Sequence, residues 1–341
     1  MNTVFILFVE LLRVSVGTQS ELSAIPSSKD WHNVMSLARK HGVLGILFSG
    51  IEKLGNNCSI PKELLLQWCG IALNIESQNT LLDTRSRELT KIFSKSGFRS
   101  CILKGQGTAL LYPDSKRRSC GDIDLWVEGN RGTILRFLRQ KWTLGDVLMY
   151  HADAKVFIDA AVEIHYLPAF SYNPFRDYKY RKFFKGEGQV QFQLYDENKG
   201  FTYPSLYFNA VYSLIHIFNH SLKNEILFKQ IVDYYFILKH LQPSDRIRIM
   251  KTISWMGLGR FAGGLMYVIR TIFFSNTEES TTYLLCQVDA QAGRLLLSDL
   301  FSEKAKSYNQ VLIKHLKLYH SEIMWAPVWK LWHWCWRKIH N

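Results

Sequence analysis

Residues 118–127 read Arg-Ser-Cys-Gly-Asp-Ile-Asp-Leu-Trp-Val, and this stretch indicates the fold. Asp122 and Asp124 are separated by one apolar residue inside an otherwise apolar run, which is typical of a β-strand. Because side chains alternate across a strand, both carboxylates point to the same face. Two carboxylates on one face repel each other and resist burial unless a cation lies between them. The pattern therefore predicts a site for a hard divalent ion with oxygen ligands, above all Mg²⁺, entered through a tight turn at Gly121.

A second acidic strand lies downstream, where residues 161–166 read Ala-Val-Glu-Ile-His-Tyr. Glu163 and His165 share one face of this strand by the same alternation. We expect Glu163 to converge with Asp122 and Asp124 on adjacent strands that face an open cleft. If Glu163 points elsewhere, Asp159 is the next candidate, because it has the same strand parity.

The order of these features is a glycine turn and helix, an Asp-x-Asp strand, another helix, and a strand with one more carboxylate. This order resembles the catalytic core of the DNA polymerase β-like nucleotidyltransferase superfamily, and more closely a poorly characterised bacterial family within it. The matching residues are Lys104-Gly105, Tyr112-Pro113, Arg118, Gly121 to Leu125, Glu163-Ile164-His165, Asn173-Pro174, His216 and residues 229–233. A single Asp-x-Asp is a weak signal, but the order and context make the set fairly specific.

The resemblance implies an enzyme that transfers a nucleoside monophosphate from a nucleoside triphosphate to an acceptor with Mg²⁺, or with Mn²⁺ in its place. It assigns catalysis and metal binding to Asp122, Asp124 and Glu163, with Glu163 as a ligand or as the base that accepts the nucleophile's proton. The expected nucleotide-binding residues are Lys104, Gly105, Arg118, Gly121, His165, His216, Lys229 and Asp233. The acceptor stays open, since a small molecule, a protein side chain and an RNA end all fit.

Phosphate binding is expected where Gly105 begins a helix directly after a strand, because exposed backbone N–H groups there suit a triphosphate. Lys104 would add a point charge and Arg118 a two-pronged contact. The turn reads Lys-Gly-Gln-Gly, so the serine that the superfamily more often has at this position is missing.

The histidines have two interpretations each. His165 either hydrogen-bonds a carboxylate or is an ordinary core histidine. His216 and His220 have a spacing that can hold zinc, but the motif lacks the glutamate of a metalloprotease. We expect His216 to face the cleft with Lys229 and Asp233, the alternative being polar contacts between packed helices.

A rival function uses the same fold without catalysis, as a nucleotide- or RNA-binding module. The basic and aromatic segment 176–185 would be its contact surface. The three carboxylates favour the enzyme, because a binding module has no need of them.

The composition fits a globular protein with anionic partners or a solvated basic surface. Among 341 residues, 42 Lys and Arg stand against 29 Asp and Glu, which gives a formal net charge of +13. Six scattered cysteines form no Cys-x-x-Cys pair, so we expect reduced thiols in a cytoplasmic protein, with Cys120 a packing residue. The apolar segment 4–16 is interrupted by Glu10 and Arg13, which predicts a packed amphipathic helix without a signal peptide or a membrane span.

We expect an α+β protein, in which a small mixed β-sheet nucleotidyltransferase core with helices on one face is flanked by helical regions. The predicted division is a helical N-terminal region at 1–78, the core at 79–198 and a helical C-terminal domain at 199–341. Within the core, we predict a helix at 105–112 and strands at 142–149, 154–158, 161–167 and 190–194.

Five tryptophans lie between residues 325 and 336, four of them at helical spacing. They predict a final helix that either docks on the body or binds a membrane surface or a partner.

Overall fold

The computed structural model describes residues 3–119, 121–275, 282–301 and 308–340, so Cys120 lies outside the described residues. The helices are α1 (Thr3–Val16), α2 (Ser28–Lys40), α3 (Leu44–Leu54), α4 (Lys62–Lys95), α5 (Gln106–Ala109), α6 (Arg131–Lys141), α7 (Pro174–Gln191), α8 (Leu206–Lys223), α9 (Phe228–His240), α10 (Pro243–Trp255), α11 (Gly259–Phe273), α12 (Ala290–Leu300) and α13 (Tyr308–His340). The strands are β1 (Ser100–Ile102), β2 (Ile123–Val127), β3 (Leu144–Val147), β4 (His151–Ala154), β5 (Val162–His165), β6 (Tyr195–Asp196) and β7 (Phe201–Thr202).

Five strands form one mixed sheet in the order β1-β2-β5-β4-β3, and β6 pairs with β7 separately. β2 and β5 are parallel, whereas the other neighbours in the large sheet are antiparallel. The register places Glu163 between Asp124 on β2 and Asp153 on β4. A small mixed sheet with helical flanks confirms the predicted α+β class.

Strand alternation gives β2 an apolar and a polar face. Ile123, Leu125 and Val127 are buried in one cluster with α4 and α6, for example against Leu89 and Leu138. Burial of apolar surface at about 25 cal/mol per Å² holds the sheet on these two helices. The intervening side chains of β2 therefore point to the opposite face, where the acidic residues lie.

Trp126 covers part of this second face and joins the sheet to the helices that follow it. Its ring lies 4.5 Å from that of Phe192 and stacks on Phe208 of α8, with the centroids 5.5 Å apart. Both phenylalanines belong to the large apolar cluster formed by the N- and C-terminal helices. The C-terminal helices thus pack directly on the sheet.

Local hydrogen bonds define the start of α2. The Oγ of Ser27 accepts the Asp30 N–H at 3.2 Å, and the Asp30 carboxylate accepts the Ser27 N–H at 3.0 Å. This capping box begins α2. Farther on, α4 is continuous over 34 residues, so the predicted boundary at residue 78 lies inside a helix that both regions share. The division into three regions stays a prediction.

Two strand predictions between residues 142 and 158 have wrong boundaries. The chain forms β3 and β4 instead, and residues 155–158 lie outside any strand. The Val156 N–H donates to the Ala154 carbonyl at 2.9 Å, a local turn that ends β4, and the Ile158 side chain is exposed. Val156 and Phe157 pack, partly buried, against the apolar cluster that includes Ile123 and Leu125.

Two other elements are also corrected. Residues 190–194 do not form a strand, because α7 starts at Pro174 and continues to Gln191. The Asn173 carboxamide oxygen caps α7 by accepting the Phe175 N–H at 2.9 Å, and proline in the first turn favours the helix. The predicted helix at 105–112 is the single turn α5.

The final helix α13 docks on the body by one face. Trp329 stacks on Phe170, with the centroids 4.7 Å apart and the planes at 14°. Glu322 is fully buried, and its carboxylate accepts hydrogen bonds from Arg176, from the Ser171 hydroxyl and from the Tyr172 N–H. Docking, the first of the two interpretations of this segment, is therefore confirmed.

The outer face of α13 is apolar and exposed. Its exposed large side chains are Met324, Trp325, Val328, Leu331, Trp332 and Trp334. A surface contact through these residues stays a prediction. Among the described residues, none of the helices combines the length and the apolar character that crossing a membrane requires.

The buried pair of Arg176 and Glu322 yields a stability prediction. Arg176→Met leaves the Glu322 carboxylate buried without its charged partner, which typically costs about 3 to 5 kcal/mol. We expect urea unfolding to show a loss of that order. Arg181→Met on the same helix is the matched control, because Arg181 is half-exposed and pairs with Asp177 four residues earlier, where the expected loss is below about 1 kcal/mol. Equal losses for the two variants would contradict the anchoring role of Glu322.

Candidate active site

The three predicted carboxylates meet at the parallel pair of strands. Asp124 on β2 lies opposite Glu163 on β5, and Asp122 precedes β2 by one residue. One oxygen atom from each of the three carboxylates lies within 4.8 Å of the others. The alternation of β2 and the register of β2 with β5 together bring about this convergence.

Asp124 is the most deeply buried of the three, at 2% exposure. The Nζ atom of Lys104 lies 2.9 Å from its Oδ1 atom, and Nε2 of His165 lies 2.9 Å from the same oxygen. Burial alone would raise the pKa of the Asp124 carboxyl, but Lys104 and His165 outweigh burial and hold that pKa well below its usual range. Asp124 is therefore a carboxylate at neutral pH and accepts both bonds.

The other two carboxyl groups respond differently to their surroundings. Repulsion from Asp124, followed by burial, raises the pKa of Asp122 above its ordinary value of 3.8. The neighbouring His165 lowers the pKa of Glu163, although burial opposes this effect. Excess negative charge thus collects around Asp122, where a bound cation would relieve it.

A cleft of about 400 Å³ opens over these residues, a volume in the range of small-molecule sites. Every residue predicted for the site lines this cleft: Lys104, Gly105, Arg118, Gly121, Asp122, Asp124, Glu163, His165, His216, Lys229 and Asp233. The sheet supplies the floor, and α8 and α9 supply one wall. The structure therefore brings the predicted residues together, whereas their individual roles stay predictions.

Arg118 and Asp233 bond each other across the cleft wall, which the sequence does not reveal. The Nε and Nη2 atoms of Arg118 lie 2.7 and 2.8 Å from the two carboxylate oxygens of Asp233. The Tyr112 hydroxyl also donates to Oδ1 of Asp233 at 2.6 Å. The two-pronged contact expected of Arg118 is made to Asp233, so this pair ties the loop before β2 to α9.

Gly105 and Gly121 differ in whether their backbone conformation requires glycine. Gly105 has a φ of +58°, a conformation that other residues rarely adopt, and this turn leads the chain from β1 into α5. Gly121 has no such positive φ, and an added Cβ atom would meet nothing within 4 Å. The conformation of Gly121 therefore does not require glycine, and the predicted tight turn there stays a prediction. The helix that follows Gly105 is only one turn long, and phosphate binding at this turn stays a prediction as well.

His216 and His220 lie one turn apart on α8, with ring centroids separated by 4.4 Å. Burial and the charge of Lys104 hold the pKa of His216 well below its usual value, and burial is the main reason that the pKa of His220 is lowered to about 4. Both imidazoles are therefore neutral at pH 7. In the described part of the chain, neither belongs to a set of three metal-ligating side chains.

His151 lines the cleft from β4 but is not among the residues predicted for the site. The register pairs His151 with His165 and Asp153 with Glu163. A signal was present, because His151-Ala152-Asp153 alternates in the same way as Glu163-Ile164-His165. The predicted strands end at residue 149 and begin again at 154, so they do not include His151.

The donor set of the three carboxylates fits a hard divalent cation such as Mg²⁺. All three donors are carboxylate oxygens, which this ion prefers. They also carry more negative charge than Lys104 and His165 balance, since the pKa of Asp122 is raised by its neighbour Asp124. The residues present are therefore those that such an ion would need.

Comparison with known proteins points in the same direction. The sequence profile of a family described as "Uncharacterised nucleotidyltransferase" matches residues 27–274 of this chain. A search of curated proteins finds no match to the chain.

The crowding of carboxylates predicts that Asp122→Asn stabilises the metal-free protein. A folded-state pKa above the ordinary value means that ionised Asp122 costs stability at pH 7.5, and that this cost is relieved as the pH falls through the raised pKa. We expect a higher Tm for Asp122→Asn in EDTA at pH 7.5, with a gain that shrinks toward pH 4. Asp83→Asn, on α4, is the control that should show no gain. A lower Tm for Asp122→Asn in EDTA would contradict the repulsion.

Proposed function

The chain belongs to the uncharacterised nucleotidyltransferase family, and we propose that it transfers a nucleoside monophosphate from a nucleoside triphosphate to an acceptor. The observation that carries this proposal is the convergence of Asp122, Asp124 and Glu163 on the floor of the cleft. These residues would hold Mg²⁺, which when bound neutralises phosphate charge and orients the reacting oxygens.

The reaction joins one acceptor atom to the α-phosphorus of the triphosphate. An acceptor oxygen or nitrogen attacks this phosphorus, the bond from it to the oxygen that bridges to the β-phosphate breaks, and pyrophosphate leaves with that electron pair. The proton of the acceptor passes to a base. Phosphoryl transfer of this kind depends mainly on positioning and on charge neutralisation, which a cleft with fixed charges supplies.

Glu163 suits the role of base. Its side chain is 31% exposed, in contrast to the buried Asp124, so an acceptor can reach it. Its pKa is lowered by His165, which keeps it ionised and able to take a proton at neutral pH. Asp124, held by Lys104 and His165, would instead keep a fixed position as a ligand.

The positive groups of the cleft suit the triphosphate. Lys104 lies beside the carboxylates, and Lys223 and Lys229 line the wall formed by α8 and α9. Lys104 would contact the phosphates nearest to Asp124, and Lys229 those farther out. Arg118, held by Asp233, would fix the shape of this wall rather than bind phosphate through both of its prongs.

The acceptor is best found by a direct search. Purified protein, Mg²⁺ and each α-³²P-labelled nucleoside triphosphate would be incubated with fractions of cell extract that contain small molecules, proteins or RNA. We expect label to enter one fraction and to depend on Mg²⁺. Triphosphate binding in the presence of Mg²⁺ without any labelled product would instead favour a non-catalytic nucleotide-binding module.

Asp122→Asn tests the proposed catalytic site. The substitution removes one ligand charge at nearly constant volume, and Lys104, a cation that interacts with Asp122, keeps its ion pair with Asp124. We expect labelling to fall by roughly 100- to 1,000-fold, the usual cost of removing one electrostatic contact to a transition state. Circular dichroism would check that the fold is kept.

Asp159→Asn is the matched control for this assay. Asp159 is exposed and its carboxylate accepts two hydrogen bonds from Arg85, with donor–acceptor distances of 3.0 and 2.8 Å. Its replacement should leave labelling unchanged. Full activity in Asp122→Asn, or equal losses in both variants, would exclude transfer at this strand.

A further inference from the structure

The cleft contains a second set of ligating side chains next to the three carboxylates. His151, Glu163 and His165 each offer one donor atom, and these atoms lie within 4.8 Å of one another. Glu163 belongs to both sets, so the two sets are adjacent. The second set contains two imidazoles and one carboxylate, which is a different chemistry from the first.

The separations in this second set match those between ligands of one ion. The Oε2 atom of Glu163 lies 3.6 Å from Nδ1 of His151 and 3.4 Å from Nε2 of His165. Two ligands of a tetrahedral ion, each about 2.0–2.1 Å from the metal, are roughly 3.3 Å apart. The three side chains would therefore need little movement to share an ion.

His151 is also oriented as metal-bound histidines usually are, since its Nδ1 atom faces Glu163 and its Nε2 atom lies 3.7 Å from Asp153. In His165 the Nε2 atom faces both Glu163 and Asp124, the latter at 2.9 Å, so an ion bound by this nitrogen would take the place of the proton between His165 and Asp124. The Nδ1 atom of both rings is buried and lacks a hydrogen-bond partner among the described residues. His165 is 4% exposed, so water does not readily satisfy it. Metal-bound histidines typically direct their second ring nitrogen to a carboxylate, which positions the ring.

We propose that His151, Glu163 and His165 form a second metal site, selective for a borderline divalent transition ion such as Zn²⁺ or Co²⁺. Imidazole ligands favour these ions over Mg²⁺, which prefers oxygen. The cleft would then hold two different ions that share Glu163, a hard one at Asp122 and Asp124 and a borderline one at the histidines. The catalytic meaning of this pair rests on the proposed function, whereas the binding itself does not.

Co²⁺ provides the test, because its visible absorption reports the ligands directly. The protein would be titrated with Co²⁺ at pH 8 in excess Mg²⁺, so that the carboxylate site is kept occupied by Mg²⁺. We expect one equivalent of Co²⁺ to bind with the absorption of a site that contains nitrogen ligands. His151→Gln should weaken this binding at least 10-fold, on the order of the losses seen when metal-site partners are removed.

Two variants serve as controls. His32→Gln changes an exposed histidine of α2 and should leave Co²⁺ binding unchanged. Asp122→Asn should keep the Co²⁺ absorption while weakening Mg²⁺ binding, because Asp122 belongs only to the carboxylate set. Unchanged Co²⁺ binding in His151→Gln, or loss of Co²⁺ binding in Asp122→Asn alone, would overturn the second site.

A measurement on the unaltered protein covers the case that His151→Gln does not fold. With ¹⁵N-labelled histidine, addition of Zn²⁺ in excess Mg²⁺ should shift the imidazole signals of two histidines and leave the others in place. Shifts at His216 and His220 instead would overturn the assignment. Co²⁺ binding without any nucleotidyl transfer would reject the proposed function and keep the site, whereas transfer without histidine-dependent binding would do the reverse.

Discussion

The contact between Lys104 and Asp124 is the interaction on which the site depends. A carboxylate as deeply buried as Asp124 is unfavourable unless a cation and a hydrogen-bond donor compensate it, and Lys104 and His165 supply both. Lys104 follows β1 and His165 ends β5, so the antiparallel pairing of β1 with β2 and the parallel pairing of β2 with β5 both converge on one oxygen atom. The order of the central strands therefore brings Lys104 and His165 to the same carboxylate, that of Asp124.

A run of stacked rings connects this centre to the end of the chain. Tyr150 stacks on Phe170, both of which line the cleft, and Phe170 stacks on Trp329. His333 continues the run from Trp329 to Trp336, over which the Arg131 guanidinium lies at 4.3 Å. Together with the buried carboxylate of Glu322, these contacts place α13 behind Phe170, which lines the cleft.

The parts of the structure that could be predicted from the sequence are those fixed by local pattern. Alternation in residues 122–127 and 161–166 identifies the two acidic strands, and their convergence follows because neighbouring strands share a face. The capping box at Ser27 is similarly local. The alternation of His151-Ala152-Asp153 is a local signal, but the place of His151 in the cleft depends, like the bond between Arg118 and Asp233, on a partner elsewhere in the sequence. For His151 this is the register of β4 with β5, and for Arg118 it is the packing of α9 on the loop before β2. Residues 190–194 show the opposite case, because a local helix-start signal exists at Asn173-Pro174, whereas the apolar residues at 190–194 favour a strand.

The position of Trp329 has a mechanical consequence. One face of its helix supports Phe170, while the other face leaves Trp325, Trp332 and Trp334 open to the surroundings. A partner that bound the outer face and shifted this helix would also shift Phe170, which stacks on Trp329. Phe170 in turn stacks on Tyr150, which lines the cleft beside the carboxylates. The cleft that holds the carboxylates is therefore supported by Trp329 of the last helix, which lies more than 150 residues from Glu163 along the chain.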